Sequence, residues 1–167
     1  GGGAYTFIGG VTAAGTSPLS ITSGIDTTYD VYMIVGAGLS SSADGQDIRF
    51  RMSVGGSFIT SSDYRYGGNY ANTNATHNHD ESHTYSNSVS SIRVTYDAGS
   101  DAVAESQSFV MYLFNPGSTT MWKNVIWHEF GINQDNKGFH TVAGGLLENT
   151  GAVDGVQIYP SASGDYT

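Results

Sequence analysis

The chain is expected to be an all-β protein, a jelly-roll-like antiparallel β-sandwich of about eight to ten strands. Three observations lead there. Ile48, Phe50, Met52 and Val54 alternate with Arg49, Arg51 and Ser53, the two-residue period of a strand with one face in a core and the other in water. Short apolar runs are separated by Gly, Ser, Asn and Asp clusters at the spacing typical of sandwiches and barrels. No stretch carries a convincing 3.6-residue apolar period.

In chain order, Gly1 to Gly3 form a flexible hinge, and residues 4–167 form a single sandwich domain. Residues 4–13 read as a first strand bent at Gly9-Gly10. Pro18 to Ile21 is a short strand and residues 23–28 a turn. Tyr29 to Val35 is apolar on both faces after Asp30, as in a strand covered on both sides or one lying at a subunit contact. Tyr32 and Ile34 are its candidate interface residues. The amphipathic strand 48–54 follows. Residues 61–72 alternate tyrosines around Gly67-Gly68, a strand with a bulge. Residues 73–88 lack apolar periodicity and are assigned to a long polar surface loop. Residues 89–96 alternate again, 97–105 form a loop, and 106–114 read as a central strand. Asn115-Pro116-Gly117-Ser118 is a turn. Residues 121–130 are assigned to a strand because Trp, Val, Ile and Phe favour one. Residues 138–147 and 153–160 complete the set.

A chain of 167 residues fits one domain and buries enough surface to fold without a covalent staple. It has no cysteine, so neither disulfides nor thiolate metal sites arise. A net charge of −9 argues against nucleic acid, whose phosphates need basic surface, and against an anionic membrane surface. No apolar run approaches the ~20 residues of a membrane-spanning helix. The chain opens on Gly rather than Met and reads as processed or as a piece of a longer one. Charged residues make up 13%, about half the usual share. Ser, Thr, Asn and Gly fill the polar positions instead, the composition of an extracellular or virion β-protein.

The order of several segments is familiar. Tyr5-Thr6-Phe7-Ile8 precedes an I-x-S-G-I-D-x-T-Y-D-x-Y segment at residues 21–32. An acidic turn, Ala43-Asp44-Gly45, leads to I-R-x-R-x-S-x-G-G-S at 48–57 and a Ser-Asp-Tyr-x-Tyr stretch at 62–66. Gly144-Gly145, residues 153–158 and Ser163-Gly164-Asp165-Tyr166 close the pattern. This resembles a group of bacteriophage virion domains found in tail-fibre-like and capsid-associated proteins, over nearly the whole chain. The resemblance implies a jelly-roll-like sandwich in a trimeric virion component without catalysis. Such domains continue into a final strand ending near Leu-Tyr-Gly. This chain stops at Thr167, so that strand is either outside it or supplied by a neighbour.

Candidate chemistry is sparse. His77, His79 and His83, with Asp80 and Glu81 between them, have the donor types for Zn²⁺ or Ni²⁺. In an extended loop His77 and His79 point the same way, and three chains on a three-fold axis could share an ion. A solvated polar loop is the plainer account, so no cofactor is expected beyond a divalent metal there. Asp26, Asp30, Asp44 and Asp47 could hold Ca²⁺, although Asp serves turns through its own backbone bonds. Tyr64, Tyr66, Tyr70, Trp122 and Trp127 could stack on sugar rings, or belong to the core or a subunit interface. His128 and Glu129 adjoin, but strand neighbours face opposite sides. No Gly-x-Ser-x-Gly elbow or phosphate loop occurs. Asn74-Ala75-Thr76 matches a glycosylation sequon, by chance in a phage product.

The expected function is therefore that of a non-enzymatic structural protein on the virion surface. It would be a trimeric fibre or capsid decoration component, in contact with other virion proteins such as a capsid or fibre stalk. The alternative is a receptor-binding fibre tip that recognises host surface polysaccharide. A carbohydrate-active enzyme module is disfavoured because no acid pair is evident.

Overall fold

The computed structural model describes residues 5–73, 79–96, 98, 105–162 and 164–166. Among them lie eleven strands and no helix. They are β1 (Leu19–Ile21), β2 (Val31–Leu39), β3 (Ile48–Val54), β4 (Ser57–Phe58), β5 (Tyr64–Thr73), β6 (His79–Val89), β7 (Ile92–Arg93), β8 (Gln107–Phe114), β9 (Lys123–Ile132), β10 (Gly138–Leu147) and β11 (Val153–Pro160). A smaller sheet runs β1-β11-β3, with β4 and β7 both on the far edge of β3. A larger sheet runs β2-β8-β9-β10-β5-β6. All pairings are antiparallel. The first strand lies beside the last, and the third lies between the last and the seventh. The second sheet begins with β2 and ends with β5-β6. This is jelly-roll winding in which one strand of the larger sheet is expanded into the meander β8-β9-β10.

The amphipathic strand forms as its sequence predicts. Ile48, Phe50 and Met52 are buried in β3, while Arg49 and Arg51 are half-buried. Ser53 is buried too, because its hydroxyl donates to Asp154 at 2.6 Å, where β11 shifts register against β3. The same carboxylate accepts Gly56 N–H at 2.6 Å. Gly55 and Gly56 have φ of 61° and 77°, as a two-residue primed hairpin turn requires. The core between the sheets contains Phe50, Met52, Val153 and Val156 from one side. Phe109, Met111, Leu113, Val125, Trp127, Tyr64 and Leu147 face them from the other. Tyr166, at the chain's far end, is fully buried and bridges Thr16 and Ser41. Burial pushes its phenol up.

Three sequence expectations need correction. Residues 5–13 form no strand, because no edge of this chain's own sheets pairs with them. Residues 79–89 are not loop but β6, paired with β5 from His79↔Thr73 to Val89↔Tyr64. As the outermost strand of its sheet β6 shows no apolar alternation, and charged or polar side chains on an edge discourage pairing with another chain. Of the alternating stretch 89–96, Val89 ends β6 and only Ile92–Arg93 forms a further strand.

Candidate functional site, the outer face of the larger sheet

The six-stranded sheet has one face on the core and one in solvent, and the solvent face is largely apolar. Register sets its side chains in rows. Val31, Phe114, Asn124, Leu146 and Arg65 form one row across β2, β8, β9, β10 and β5. Met33, Tyr112, Ile126, Gly144, Gly67 and Tyr85 form the next, and Val35, Val110, His128, Val142 and Asn69 the third. Val35, Ile126, Phe130 and Val142 are 56%, 48%, 63% and 43% exposed. A single exposed apolar residue needs no explanation, but a contiguous face of them marks a contact surface.

Within this face is a shallow groove of about 380 Å³. Gly67, Gly68 and Gly144 form its floor, and Ile126, His128 and Val142 rise around it. The glycines are tolerated for different reasons. A Cβ on Gly68 would lie 2.2 Å from that of Ala143, so the two strands approach too closely for a side chain there. A Cβ on Gly144 would meet nothing nearer than Val125 O at 3.4 Å; the position has room, and the space above it is empty groove.

The structure disperses the proposed aromatic platform. Tyr64, Tyr66 and Trp127 are 0%, 8% and 1% exposed, and all three belong to the core cluster. The period of two sends alternate residues of β5 and β9 inward. Tyr70 is half-buried, stacked on Tyr96 at 5.5 Å and tilted against Phe139. Only Trp122 is substantially open, beside Met121 in the β8–β9 connection. Tyr32 and Ile34 face the core; Val31, Met33 and Val35 are the exposed large apolar residues of β2. The doubly apolar pattern of residues 29–35 and 106–114 was the sequence signal for this outer face, but it could not say which residues would be outermost.

Of the histidine cluster, His77 lies outside the described residues. The backbones of His79 and His83 pair with those of Thr73 and Asn69. Among the described residues no group of three or more His, Asp or Glu is placed to hold a metal. The acidic turn residues serve local structure. Asp26 Oδ1 accepts Thr28 N–H at 2.7 Å and the Tyr32 hydroxyl at 3.0 Å, and the Thr28 bonds hold its carboxyl below the usual range. Asp44 Oδ1 accepts Gly45 N–H, and Asp47 pairs with Arg49. His128 is exposed and Glu129 buried, on opposite faces as expected.

The burial of two charged side chains is not evident in the sequence. Lys123 is fully buried in β9, and its ammonium donates to the carbonyls of Ser118, Met121 and Thr150 at 2.5, 2.9 and 3.3 Å. Glu129 is 3% exposed, and neither carboxyl oxygen has a hydrogen-bond partner of normal geometry. Burial pushes this carboxyl up to about 8, and the Thr141 side chain offsets a little of that.

Comparison of the chain with protein-family models, curated proteins and solved structures found no match.

Proposed function

We propose that this chain is a non-enzymatic structural protein of a bacteriophage virion surface, a fibre or capsid decoration component that assembles as a homotrimer. The observation that carries the assembly reading is the apolar outer face of the larger sheet. Its rows join Val31 and Phe114, Met33, Tyr112 and Ile126, and Val35 and Val110. A face of this composition gains by leaving water. The virion assignment is supported by the resemblance over residues 5–8, 21–32 and 48–66, by the low charge content and by the jelly-roll winding. Of the five aromatics that would serve the alternative, a glycan-reading fibre tip, Trp122 alone is well exposed.

The test is the molar mass of the purified chain by light scattering across a concentration series. Three chain masses are expected. Ile126→Lys, at the centre of the face, should give a folded monomer, because it places a charge where the contact would exclude water. A wild-type chain that stays monomeric to its solubility limit would overturn the proposal.

A further inference from the structure

Resting on this reading, we propose that the segment 5–11 of one copy docks on the larger sheet of the next, with Phe7 seated in the groove over Gly144. Two surfaces of the chain are incomplete in complementary ways. The arm belongs to no strand, yet it presents Tyr5, Phe7 and Val11 at 72%, 85% and 49% exposure. The groove is a shallow concavity of about 380 Å³ in the apolar face, floored by glycines and walled by Ile126 and Val142, with His128 and Asn69 at its polar side. One is a knob without a hole, the other a hole without a knob.

The arm cannot fill the groove of its own chain. Ile8 packs so closely on Gly24 that a Cβ there would lie 2.2 Å from Ile8 Cγ2. Asp26, two residues further on, is hydrogen-bonded to the Tyr32 hydroxyl on the core side of β2. The arm is thus held near the β2 edge. The groove lies on β9, β10 and β5, on the opposite face of the sheet. Three strand steps from β2 to β10 span about 14 Å, and an extended chain gains only about 3.4 Å per residue. Phe7, next to the anchor, falls well short, so the occupant is another copy.

The area suffices. An aromatic side chain buries about 150–250 Å², so the exposed apolar groups of the arm offer on the order of 500 Å². Val35, Ile126, Phe130, Val142 and Tyr85 offer at least as much on the receiving face. Together they reach the roughly 1,000 Å² that a specific interface needs. Because knob and hole are different surfaces of one chain, the contact is head-to-tail and closes into a ring when the rotation permits, as a trimer requires.

The chain has no cysteine, so a crosslink can be assigned cleanly. Phe7→Cys and Val142→Cys are made in separate chains, mixed, allowed to exchange and mildly oxidised. A disulfide joining the two kinds of chain is expected, and so is at least a tenfold rise in the assembly midpoint concentration for Phe7→Ser. Gly144→Ala should act in the same direction, since it narrows the groove without a backbone clash. If the wild type is trimeric but shows neither the mixed disulfide nor sensitivity to Phe7→Ser, the arm proposal falls and the assembly reading stands. A wild-type monomer overturns both.

Discussion

The phenol of Tyr64 joins the two sheets: from β5 in the larger sheet it accepts the backbone N–H of Met52, in β3 of the smaller, at 2.9 Å. Its own proton lies between the carbonyls of Ile59 and Met52, at 3.3 and 3.4 Å. Burial pushes the phenol up to about 12, so it remains a donor and acceptor throughout the ordinary pH range. Trp127 makes the companion link, donating its indole N–H to Val94 O at 3.0 Å. Both are aromatics that a sugar-binding site could have used, and both are instead committed to the inter-sheet core.

Tyr64→Phe should keep the ring's packing and leave Met52 N–H buried without a partner. A loss of about 1–3 kcal/mol is expected, measured by urea denaturation. A loss near zero would mean that water or a backbone shift satisfies the amide.

Phe50 and Arg51 test the register of β3. Phe50 is fully buried, and Phe50→Ala should cost about 3–5 kcal/mol. Arg51 lies over the Tyr159 ring at 4.3 Å and donates to Ser90 O, so Arg51→Ala should cost about 1 kcal/mol. Equal costs would contradict the observed alternation.

Glu129 predicts a pH dependence. Its folded value of about 8 lies above the ordinary carboxylate range of the unfolded chain. Its contribution to stability is therefore fully present below about pH 4.5. It is lost as pH rises towards 8, because only the unfolded chain releases the proton in that window. Thermal scans should show the melting temperature of the wild type falling relative to Glu129→Gln between these limits, by the equivalent of a few kcal/mol in stability. Parallel curves for the two proteins would show that the carboxyl is solvated.

Lys123 holds the turn that carries Met121 and Trp122. Lys123→Met should fill most of the volume but leave three carbonyls without their donor. The expected cost is about 2–4 kcal/mol, with faster amide exchange in residues 118–122. Unchanged exchange would mean that the backbone alone sets this turn.

Most of the strand content could be read locally. Strand β3 follows from its alternation, β8 from an apolar run closed by the turn at residues 115–118, and β9 from its Trp, Val, Ile and Phe content, all of them properties of neighbours along the chain. The misreadings share one cause. Residues 79–89 form a strand because β5 supplies hydrogen-bond partners, not because their own side chains favour a sheet. Residues 5–13 have strand-like composition and lack such a partner. Pairing between distant segments settles both cases, and composition does not report it.

The all-β class, the buried face of β3 and the divergence of His128 and Glu129 are local properties of the chain, because a two-residue period belongs to the extended backbone. Which aromatics are core, which apolar face is left in solvent and where glycines open a groove are set by the packing of the two sheets. Those outcomes depend on the order in which strands are laid side by side, and on which sheet covers which.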